Sequence, residues 1–391
     1  MRLMFITDFT EQFAYRLLRG ILRYSQEKED HWVVCKMPPS YMRQMGIRKV
    51  VDLAEGWRAD VVIGQFEPGD NISLFHKKGI VVLAQDYISP FPNIPNITAD
   101  DCRTGAMAAE RFMARGFREF AFFGNNGMCW SDGRRDGFRE RLVQAGIFEE
   151  HIHIYDWRQR VSNLWFYNQS WLQNWLQALP KPIGLMACDD NQASILVEAC
   201  NSLGIRVPFE VAIIGVDNDE ILCNMTSPSL TSIDVDIERG GYEAAALAEQ
   251  MVREKDFKGR DIVLQPLSIV TRTSSNVIAT LDTGIHQALQ YINENIDHKI
   301  LVTDVLEHVP MSRRLLEQRF LKATGTTIYQ YIMKLRIDRF AQLLLTSKDT
   351  VADICARMDE PDPKNLSRRF QALKGCTPTA YRKQNLRKLG V

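Results

Sequence analysis

Short β-rich runs alternate with amphipathic stretches from residue 1 to about residue 274, and there the alternation stops. Runs such as "RLMFITDF", "ADVVIGQF" and "VAIIGVDND" have the composition of strands, and stretches with helical spacing of apolar residues, such as "NQASILVEACNSLG", lie between such runs. Continuous apolar strands between helices indicate parallel sheets that are covered on both faces. About ten strands are too many for one small unit, so we predict an α/β domain of two lobes, each a doubly wound parallel sheet.

The stretch "TRTSSNVIATLD" (271–282) is polar and rich in small residues, which is typical of a linker. The pattern after it is helical throughout. We therefore predict a two-lobed domain over residues 1–274, a linker over 275–282 and an all-α domain over 283–391. In the all-α domain, the predicted helix N-caps are Thr303, Ser312 and Thr350.

The all-α region contains the pattern L-x-x-R-F-x-x-x-x-G-x-T-x-x-x-Y twice, first from Leu316 and again from Leu366. Each copy is a short helix, a tight break and a longer basic helix, which is the helix-turn-helix format, over about 303–324 and about 350–374. A long amphipathic helix joins the copies.

The residues that the two copies share are expected to stabilise the fold of each helix-turn-helix unit. An apolar pair four residues apart, Leu316 with Phe320 and Leu366 with Phe370, predicts one buried face per copy. The repeated glycine predicts a helix C-cap with positive φ. Contacts to DNA are therefore expected at the exposed positions where the copies differ. They are Ser312, Arg313, Arg314, Glu317, Gln318 and Lys322 in the first copy and Lys364, Asn365, Ser367 and Arg368 in the second.

The charge distribution supports a nucleic-acid partner for the all-α region alone. Residues 283–391 contain 18 Lys and Arg against 11 Asp and Glu, a net charge of +7, while the remainder of this neutral chain carries −7. A basic region on an acidic body indicates that one part meets a polyanion and the other does not.

Residues 283–391 resemble the DNA-binding domain of the AraC/XylS family, which has two helix-turn-helix units joined by a long helix. The family's G-x-T-P-x-x-Y-R signature is intact as "GCTPTAYR" (375–382). The family's I-A-x-x-x-G-F helix is matched by "ICARMDE", with Asp359 and Glu360 in place of Gly-Phe. The departure predicts a second turn that is less tightly packed, or shifted. The resemblance implies that the first helix-turn-helix unit is the main determinant of DNA sequence specificity.

The front portion resembles the periplasmic-binding-protein-like effector domain of LacI/GalR regulators. The residues that carry the resemblance include "ITADDCRTGAMAAERFMARGFREFAFFG" (97–124), "GRRDGF" (133–138) and "PSLTSIDVD" (228–236). Those regulators carry their DNA-binding unit first. This chain starts directly at a first strand, so we expect that an AraC-type unit at the other end replaces it.

A sugar site is expected at the carboxyl ends of the strands, where ligands of open α/β sheets bind. Hydroxyl groups need fixed carboxylates, amides and guanidinium groups, together with an aromatic plane. The candidate ligand-binding residues are Asp8, Asp100, Trp130, Arg134, Asp189 and Asp217. The resemblance makes Arg134 and Asp217 the strongest of these. The alternative for the aspartates is a turn or a helix N-cap, and the neighbouring Asp101, Asp190 and Asp219 are expected to be exposed caps.

The sequence lacks the motifs that are typical of other functional classes. The sequence has no phosphate-binding loop, no G-x-S-x-G elbow and no run of 18 apolar residues, and its eight cysteines form no C-x-x-C pair. His151 and His153 have no third metal ligand nearby. We expect no cofactor, no metal and no enzymatic activity, and a cytoplasmic location.

The two resemblances together imply a sequence-specific DNA-binding transcription regulator whose effector is a sugar. The expected effector is D-xylose, and the expected role is activation of sugar uptake and catabolism genes, as a homodimer working with RNA polymerase. The alternatives are a regulator of another pentose or hexose operon, a sugar-binding transport protein and a sugar-modifying enzyme.

Overall fold

The computed structural model describes residues 1–9, 12–29, 31–85, 88–125, 127–155, 170–254, 259–279, 282–347 and 349–388, without the side chains of 346 and 384–388. Part of the predicted linker (280–281) and residues 389–391 therefore lie outside the described residues. The chain divides into two compact units. The first comprises Met1–Ala114 and Arg118–Asn276, and the second comprises Arg115–Phe117 and Val277–Val391.

The first unit is built from strands and helices in alternation. Its described strands are β1 (Arg2–Ile6), β2 (Val33–Met37), β3 (Val61–Gln65), β4 (Val81–Gln85), β5 (Asn96–Ala99), β6 (Glu119–Phe123), β7 (Ile152–Ile154), β8 (Ile183–Ala187), β9 (Val211–Val216), β10 (Thr231–Val235), β11 (Ile262–Leu264) and β12 (Pro266–Val270). Its described helices are α1 (Gln12–Glu27), α2 (Pro39–Met45), α3 (Ile47–Gly56), α4 (Ser73–His76), α5 (Asp101–Ala114), α6 (Cys129–Gln144), α7 (Ser170–Ala178), α8 (Asp190–Ser202), α9 (Glu220–Met225) and α10 (Ile237–Arg253). Short 3₁₀ turns lie at Glu149–His151 and Thr273–Ser275.

The strands form two six-stranded sheets, one in each lobe, which confirms the predicted two-lobed class. The order is β11-β5-β4-β3-β1-β2 in the first sheet and β12-β10-β9-β8-β6-β7 in the second. The described pairs are parallel except for β10 with β12. β12 departs from the prediction: the chain enters the second sheet from β11 of the first sheet after only Gln265, and β12 then runs antiparallel to its neighbour β10.

The chain passes between the lobes at Asp100, Asp236 and Gln265. The passages lie side by side, since the Asp100 amide donates to Leu264 O and the Asp236 amide donates to Gln265 O. Because of these passages, α10 packs with α1 on the first sheet, while α5 packs with α6 on the second. Adjacent passages of this kind are the geometry of a hinge.

Each lobe has its own apolar core, which explains why the sheets read as continuous apolar runs. All six residues of β9 and all five of β8 are buried. The first lobe packs Ile6, Val62 and Phe75 between its layers. Burying one such side chain stabilises the fold by about 1.5–3 kcal/mol.

The second unit is helical over its described residues. Its helices are α11 (Thr283–Glu294), α12 (Val302–Glu307), α13 (Arg313–Thr324), α14 (Ile328–Thr346), α15 (Val351–Arg357), α16 (Pro363–Lys374) and α17 (Pro378–Lys388). The two short-then-long pairs are α12 with α13 and α15 with α16, and α14 connects them. The longer helix of each pair buries its predicted apolar residues, Leu316 and Phe320 in α13 and Leu366 and Phe370 in α16.

The predicted ends of these helices are largely confirmed. Gly325 and Gly375 are C-caps with φ of 71° and 75°, the left-handed conformation that favours glycine. Ser312 and Thr350 occupy N-cap positions. The prediction of Thr303 as an N-cap is wrong, because α12 begins at Val302. There the Asp304 carboxylate accepts from the Leu301 amide at 2.8 Å, so the cap lies earlier. No described helix combines the length and apolar character that crossing a membrane requires.

Candidate functional site

A cavity of about 520 Å³ lies between the two lobes of the first unit, at the carboxyl ends of the strands. The first lobe contributes residues at the ends of β1, β3, β4 and β5, and the second contributes residues after β6, β8 and β9. The volume lies in the range of about 300–1,000 Å³ that is usual for small-molecule sites. Five of the six predicted ligand-binding residues line it: Asp8, Trp130, Arg134, Asp189 and Asp217.

Two glycines bring α5 and α6 close enough to place Arg134. A Cβ atom at Gly105 of α5 would lie 2.0 Å from the Arg134 carbonyl oxygen, and one at Gly137 of α6 would lie 2.0 Å from the Cys102 carbonyl oxygen. Any larger residue at either position would force the helices apart. The close approach sets the Arg134 side chain against Asp101, the first residue of α5.

Arg134 is the centre of a buried charge network. Its Nε donates to Asp101 Oδ1 at 2.8 Å, its Nη1 donates to Cys188 O, and its Nη2 lies 3.6 Å from Asp217 Oδ1. Only 5% of its side chain is exposed. Burial opposes its charge, but Asp217 and Asp101 outweigh burial and raise the pKa of the guanidinium, so Arg134 is a permanent cation.

Trp130 lies one helical turn before Arg134 on the same face of α6. The guanidinium carbon sits 5.2 Å from the centre of the indole ring, within the range of a cation–π contact. α6 begins at Cys129, so Arg134 stands in its second turn. The helix therefore presents an aromatic plane and a cation together to the cavity.

The carboxylates of the second lobe are held in surroundings that disfavour their charge. Burial raises the pKa of Asp101 and of Asp189 to about 6, and burial raises that of Asp190 as well. Asp189 is also the N-cap of α8, where it accepts from the Gln192 amide at 2.7 Å. It therefore both caps a helix and lines the cavity.

Asp100 is the one predicted ligand residue that the structure does not bring to the cavity. Its Oδ1 accepts from the Arg103 amide at 3.0 Å, and its own amide donates to Leu264 O, so its carboxylate caps α5 at the passage between lobes. The expectation of exposed caps is wrong for Asp101 and Asp190, which are 8% and 2% exposed. Asp219 does cap α9.

Sequence reasoning missed several polar residues that line the cavity. Gln65 ends β3, Gln85 ends β4 and Asn125 follows β6. The signal was available, because each stands at the carboxyl end of a predicted strand, where the same rule selected the aspartates.

Two buried acceptor atoms at the cavity lack a donor. Within the described residues, neither Gln85 Oε1 of the first lobe nor Asp217 Oδ1 of the second accepts a hydrogen bond, although both atoms are buried. An unsatisfied buried polar atom costs about 1–3 kcal/mol. A ligand with several hydroxyl donors would satisfy both.

The second unit presents its predicted DNA-contacting residues largely to solvent. All six positions in the first copy are exposed, as are Lys364 and Arg368 in the second, whereas Asn365 and Ser367 are half-buried. On α13, Arg313 pairs with Glu317 at 2.9 Å. Among the described residues, Arg314, Gln318 and Lys322 make no side-chain hydrogen bond or ion pair.

The second turn is fixed by charges rather than by Gly-Phe packing. Asp359 takes the glycine position with φ of 51°, and its carboxylate lies 2.9 Å from His298 Nδ1. Glu360 lies 3.5 Å from Arg336 of α14, which is 2% exposed and also donates to Met358 O and His298 O. Where the family pattern has Gly-Phe, this turn therefore has a left-handed Asp359 and an ion pair between Glu360 and the buried Arg336.

Within the described residues, no group of three or more His, Cys, Asp or Glu side chains is placed to hold an ion. His151 and His153 instead flank one carboxylate, at 2.7 and 3.0 Å from Glu119.

Comparisons with known proteins agree with both units. The family model of the periplasmic binding protein-like domain matches residues 109–275, and that of the helix-turn-helix domain matches residues 305–384.

Relatives match the chain across both units. The xylose operon regulatory protein of Haemophilus influenzae is 30% identical over 295 residues, which cover 75% of this chain and 76% of that protein. The xylose operon regulatory protein of Escherichia coli K12 is 24% identical over 398 residues, which cover 98% and 97%. A solved structure of the xylose-binding transcription activator xylR shares the fold with a TM-score of 0.73 at 23% identity, covering 98% and 97%. These relatives are transcription regulators rather than enzymes.

Proposed function

Because this chain belongs to the family of xylose operon regulatory proteins, we propose that D-xylose binds in the cavity between its two lobes and thereby switches its activity on DNA. The chain is a sugar-responsive transcription regulator with a helix-turn-helix DNA-binding domain. The identity of the sugar, the residues that bind it and the direction of the switch are the proposal.

The pair of unsatisfied acceptors carries the sugar assignment. Gln85 Oε1 and Asp217 Oδ1 belong to different lobes, so one ligand that donates a hydroxyl to each links the lobes. Such a ligand favours the arrangement in which both acceptors face it. Binding therefore shifts the population towards a closed pair of lobes.

The remaining groups suit the rest of a pyranose. Arg134 offers fixed donors to ring or hydroxyl oxygens, and Asp189 accepts from hydroxyls. The indole ring of Trp130 supplies a plane for the C–H face of the sugar. A polyol needs donors, acceptors and an apolar plane together, and this cavity offers all three.

On the DNA side, α13 is the principal reading helix in this proposal. Arg313, Arg314 and Gln318 would reach base edges in the major groove, where arginine and glutamine side chains form paired hydrogen bonds. Lys322 and the basic residues of α16, Lys364 and Arg368, would contact phosphates or a second groove. Asn365 and Ser367 lie half-buried on the same helix beside them.

We further propose that the protein acts as a homodimer in the cytoplasm and activates sugar uptake and catabolism genes with RNA polymerase. Two reading helices per protomer would give a dimer four groove contacts. Closure of the lobes would change how two protomers meet, and so the spacing of their DNA-binding domains.

The test is thermal unfolding of the full chain with D-xylose, L-arabinose, D-ribose and D-glucose, combined with calorimetric titration. A ligand that binds only the folded state stabilises it by about 2.7 kcal/mol at a hundredfold excess over Kd. We expect a rise in unfolding temperature for D-xylose.

Variants assign the site. Asp217→Asn keeps the shape and accepts at one atom only, and it should weaken D-xylose binding about tenfold or more. Asp132→Asn, on the same helix but not in the cavity lining, is the matched control and should bind as the unaltered protein does. A response to another sugar alone would replace the effector. No response to any sugar would refute the sugar site.

A further inference from the structure

The loop that carries Asp217 adopts a rare backbone conformation. Asp217 and Asn218 follow β9 with φ of 95° and 50°, although neither is glycine. Consecutive residues in the left-handed region persist only where their surroundings hold them. Two restraints act on Asn218: its amide donates to Ser232 Oγ at 2.9 Å, and its Oδ1 accepts from Arg272 Nη2 at 2.8 Å.

Arg272 connects this loop to the segment through which the chain leaves the first unit. We call residues 272–276 the exit segment, since the second unit resumes at Val277. Arg272 Nη1 donates to Leu230 O at 2.9 Å, and its amide donates to Thr231 Oγ1 at 2.9 Å. We call residues 217–218 the cavity loop. The guanidinium thus bridges the cavity loop and Leu230, the residue before β10, while the Arg272 backbone begins the exit segment.

The exit segment is fastened to the sheet directly behind the cavity loop. Ser274 is fully buried, its Oγ donates to Ile213 O at 2.7 Å, and the Thr231 amide donates to the same Oγ at 2.8 Å. The Ser274 amide donates to Ser229 O. Ser274 belongs to the polar stretch that suggests a linker in the sequence, but in the structure it is hydrogen-bonded to both β9 and β10.

We propose that Asn218 and Arg272 relay sugar occupancy from Asp217 to the exit segment, and thus to the DNA-binding domain that follows it in the chain. The relay rests on the proposed sugar function of the cavity. A ligand that bonds to Asp217 Oδ1 reorients that residue, and the peptide it shares with Asn218 must turn with it. The Asn218 amide group then changes its bond to Arg272, which anchors the start of the exit segment.

Asn218 and Arg272 are positioning residues in this scheme, because neither lines the cavity. Their loss should leave sugar binding intact and remove its effect on DNA. Coupling between two binding sites is typically about 5–150-fold and is the same in both directions.

The experiment uses the full chain and a DNA fragment obtained by selection from random oligonucleotides with the unaltered protein. Fluorescence anisotropy gives the DNA Kd with and without saturating D-xylose, and calorimetry gives the D-xylose Kd. Asn218→Gly keeps access to positive φ and deletes only the side-chain acceptor. Asn218→Asp retains the acceptor, and Arg206→Gln, at an exposed pair with Glu210, is the control.

We expect Asn218→Gly to bind D-xylose within about threefold of the unaltered protein, with a ratio of DNA Kd values near one. Asn218→Asp and Arg206→Gln should keep the ratio. Arg272→Gln should behave as Asn218→Gly does, provided that it folds.

Unchanged coupling in Asn218→Gly would overturn the relay, and so would loss of its sugar binding, which would make Asn218 part of the site. If the unaltered protein responds to D-xylose and the relay variants keep its full coupling, the relay fails and the sugar assignment stands. If the unaltered protein does not respond to D-xylose, the sugar assignment fails and removes the premise of the relay.

Discussion

Arginine plays opposite parts in the two units. Arg134 in the first unit is buried, and two carboxylates and a carbonyl surround it. Arg313 on α13 has a side chain that is 67% exposed, and Arg314 beside it is exposed too. A buried cation must be neutralised by the fold before any ligand arrives, because its solvation has been lost. An exposed cation keeps its water until phosphate displaces it. The cavity of the first unit thus has its charges built into the core, whereas α13 of the second unit leaves its charges for a partner.

The largest effect expected from this difference concerns two adjacent arginines of α6. Arg134→Met leaves Asp101 and Asp217 without their cation, and removing one partner of a buried pair costs about 3–5 kcal/mol. Arg135→Met removes only surface pairs with Asp132 and Asp136 and should cost less than about 1 kcal/mol. Thermal and urea unfolding of the full chain, following the sugar-sensitive transition, measures both. Equal losses would contradict the buried network.

The next largest effect is a pH dependence of the unfolding free energy of the first unit, which comes from its buried carboxylates. Burial raises the pKa of Asp101 and Asp189 to about 6 in the folded state, above the values of an unfolded chain. Between about pH 4 and pH 6 the folded state therefore binds more protons, and stability falls as pH rises through this window. Lowering the pH from 7 to 5 should raise the unfolding free energy of the first unit by about 1–3 kcal/mol.

Asn is the matched replacement for this test, because it preserves a helix N-cap and cannot titrate. Asp189→Asn should reduce the slope of unfolding free energy against pH, measured by urea denaturation from pH 5 to pH 7.5. A slope that survives Asp189→Asn and Asp101→Asn together would show that other groups cause it.

On the reading helices we expect the opposite pattern: substitution of an arginine should change the unfolding free energy little and DNA binding strongly. Arg314→Ala should change the unfolding free energy by less than about 0.5 kcal/mol, since the side chain is exposed. Its loss should weaken binding to selected DNA by about 1–3 kcal/mol if it reads a base edge. Arg368→Ala at the corresponding face of α16 should cost less, because α13 is the proposed principal reading helix. Anisotropy titrations at one fixed salt concentration compare the two, and a larger loss for Arg368 would exchange their roles.

The same contrast explains how far the sequence could be read. Continuous apolar runs and the twice-written motif depend on local patterns, so the two lobes, the helix-turn-helix units and the cap glycines were predictable. Strand ends pointed to Asp189 and Asp217 for the same reason. The partnership of Arg134 with Asp101 depends on the close approach of α5 and α6 at Gly105, which is a tertiary contact that no local pattern records. Burial of Asp190 escaped prediction, and the choice between ligand and helix cap at Asp100 stayed open, because adjacent aspartates look alike until the backbone path separates them.

The smallest effect is expected within one turn, where a buried and an exposed charge stand side by side. Asp359→Asn keeps a residue that tolerates φ of 51° and weakens only the exposed contact with His298, so it should change the unfolding free energy by less than about 0.5 kcal/mol. Glu360→Gln removes the charge opposite Arg336, which is 2% exposed, and should cost about 1–2 kcal/mol. Raising the salt concentration should abolish the first effect and preserve most of the second, because screening acts on exposed pairs. Urea unfolding at 0.05 and 0.5 M salt separates them. If both substitutions cost the same and respond equally to salt, the second turn is not held by the Arg336 pair, and its left-handed path at Asp359 must be fixed by the backbone bond from the Glu360 amide to Cys355 O instead.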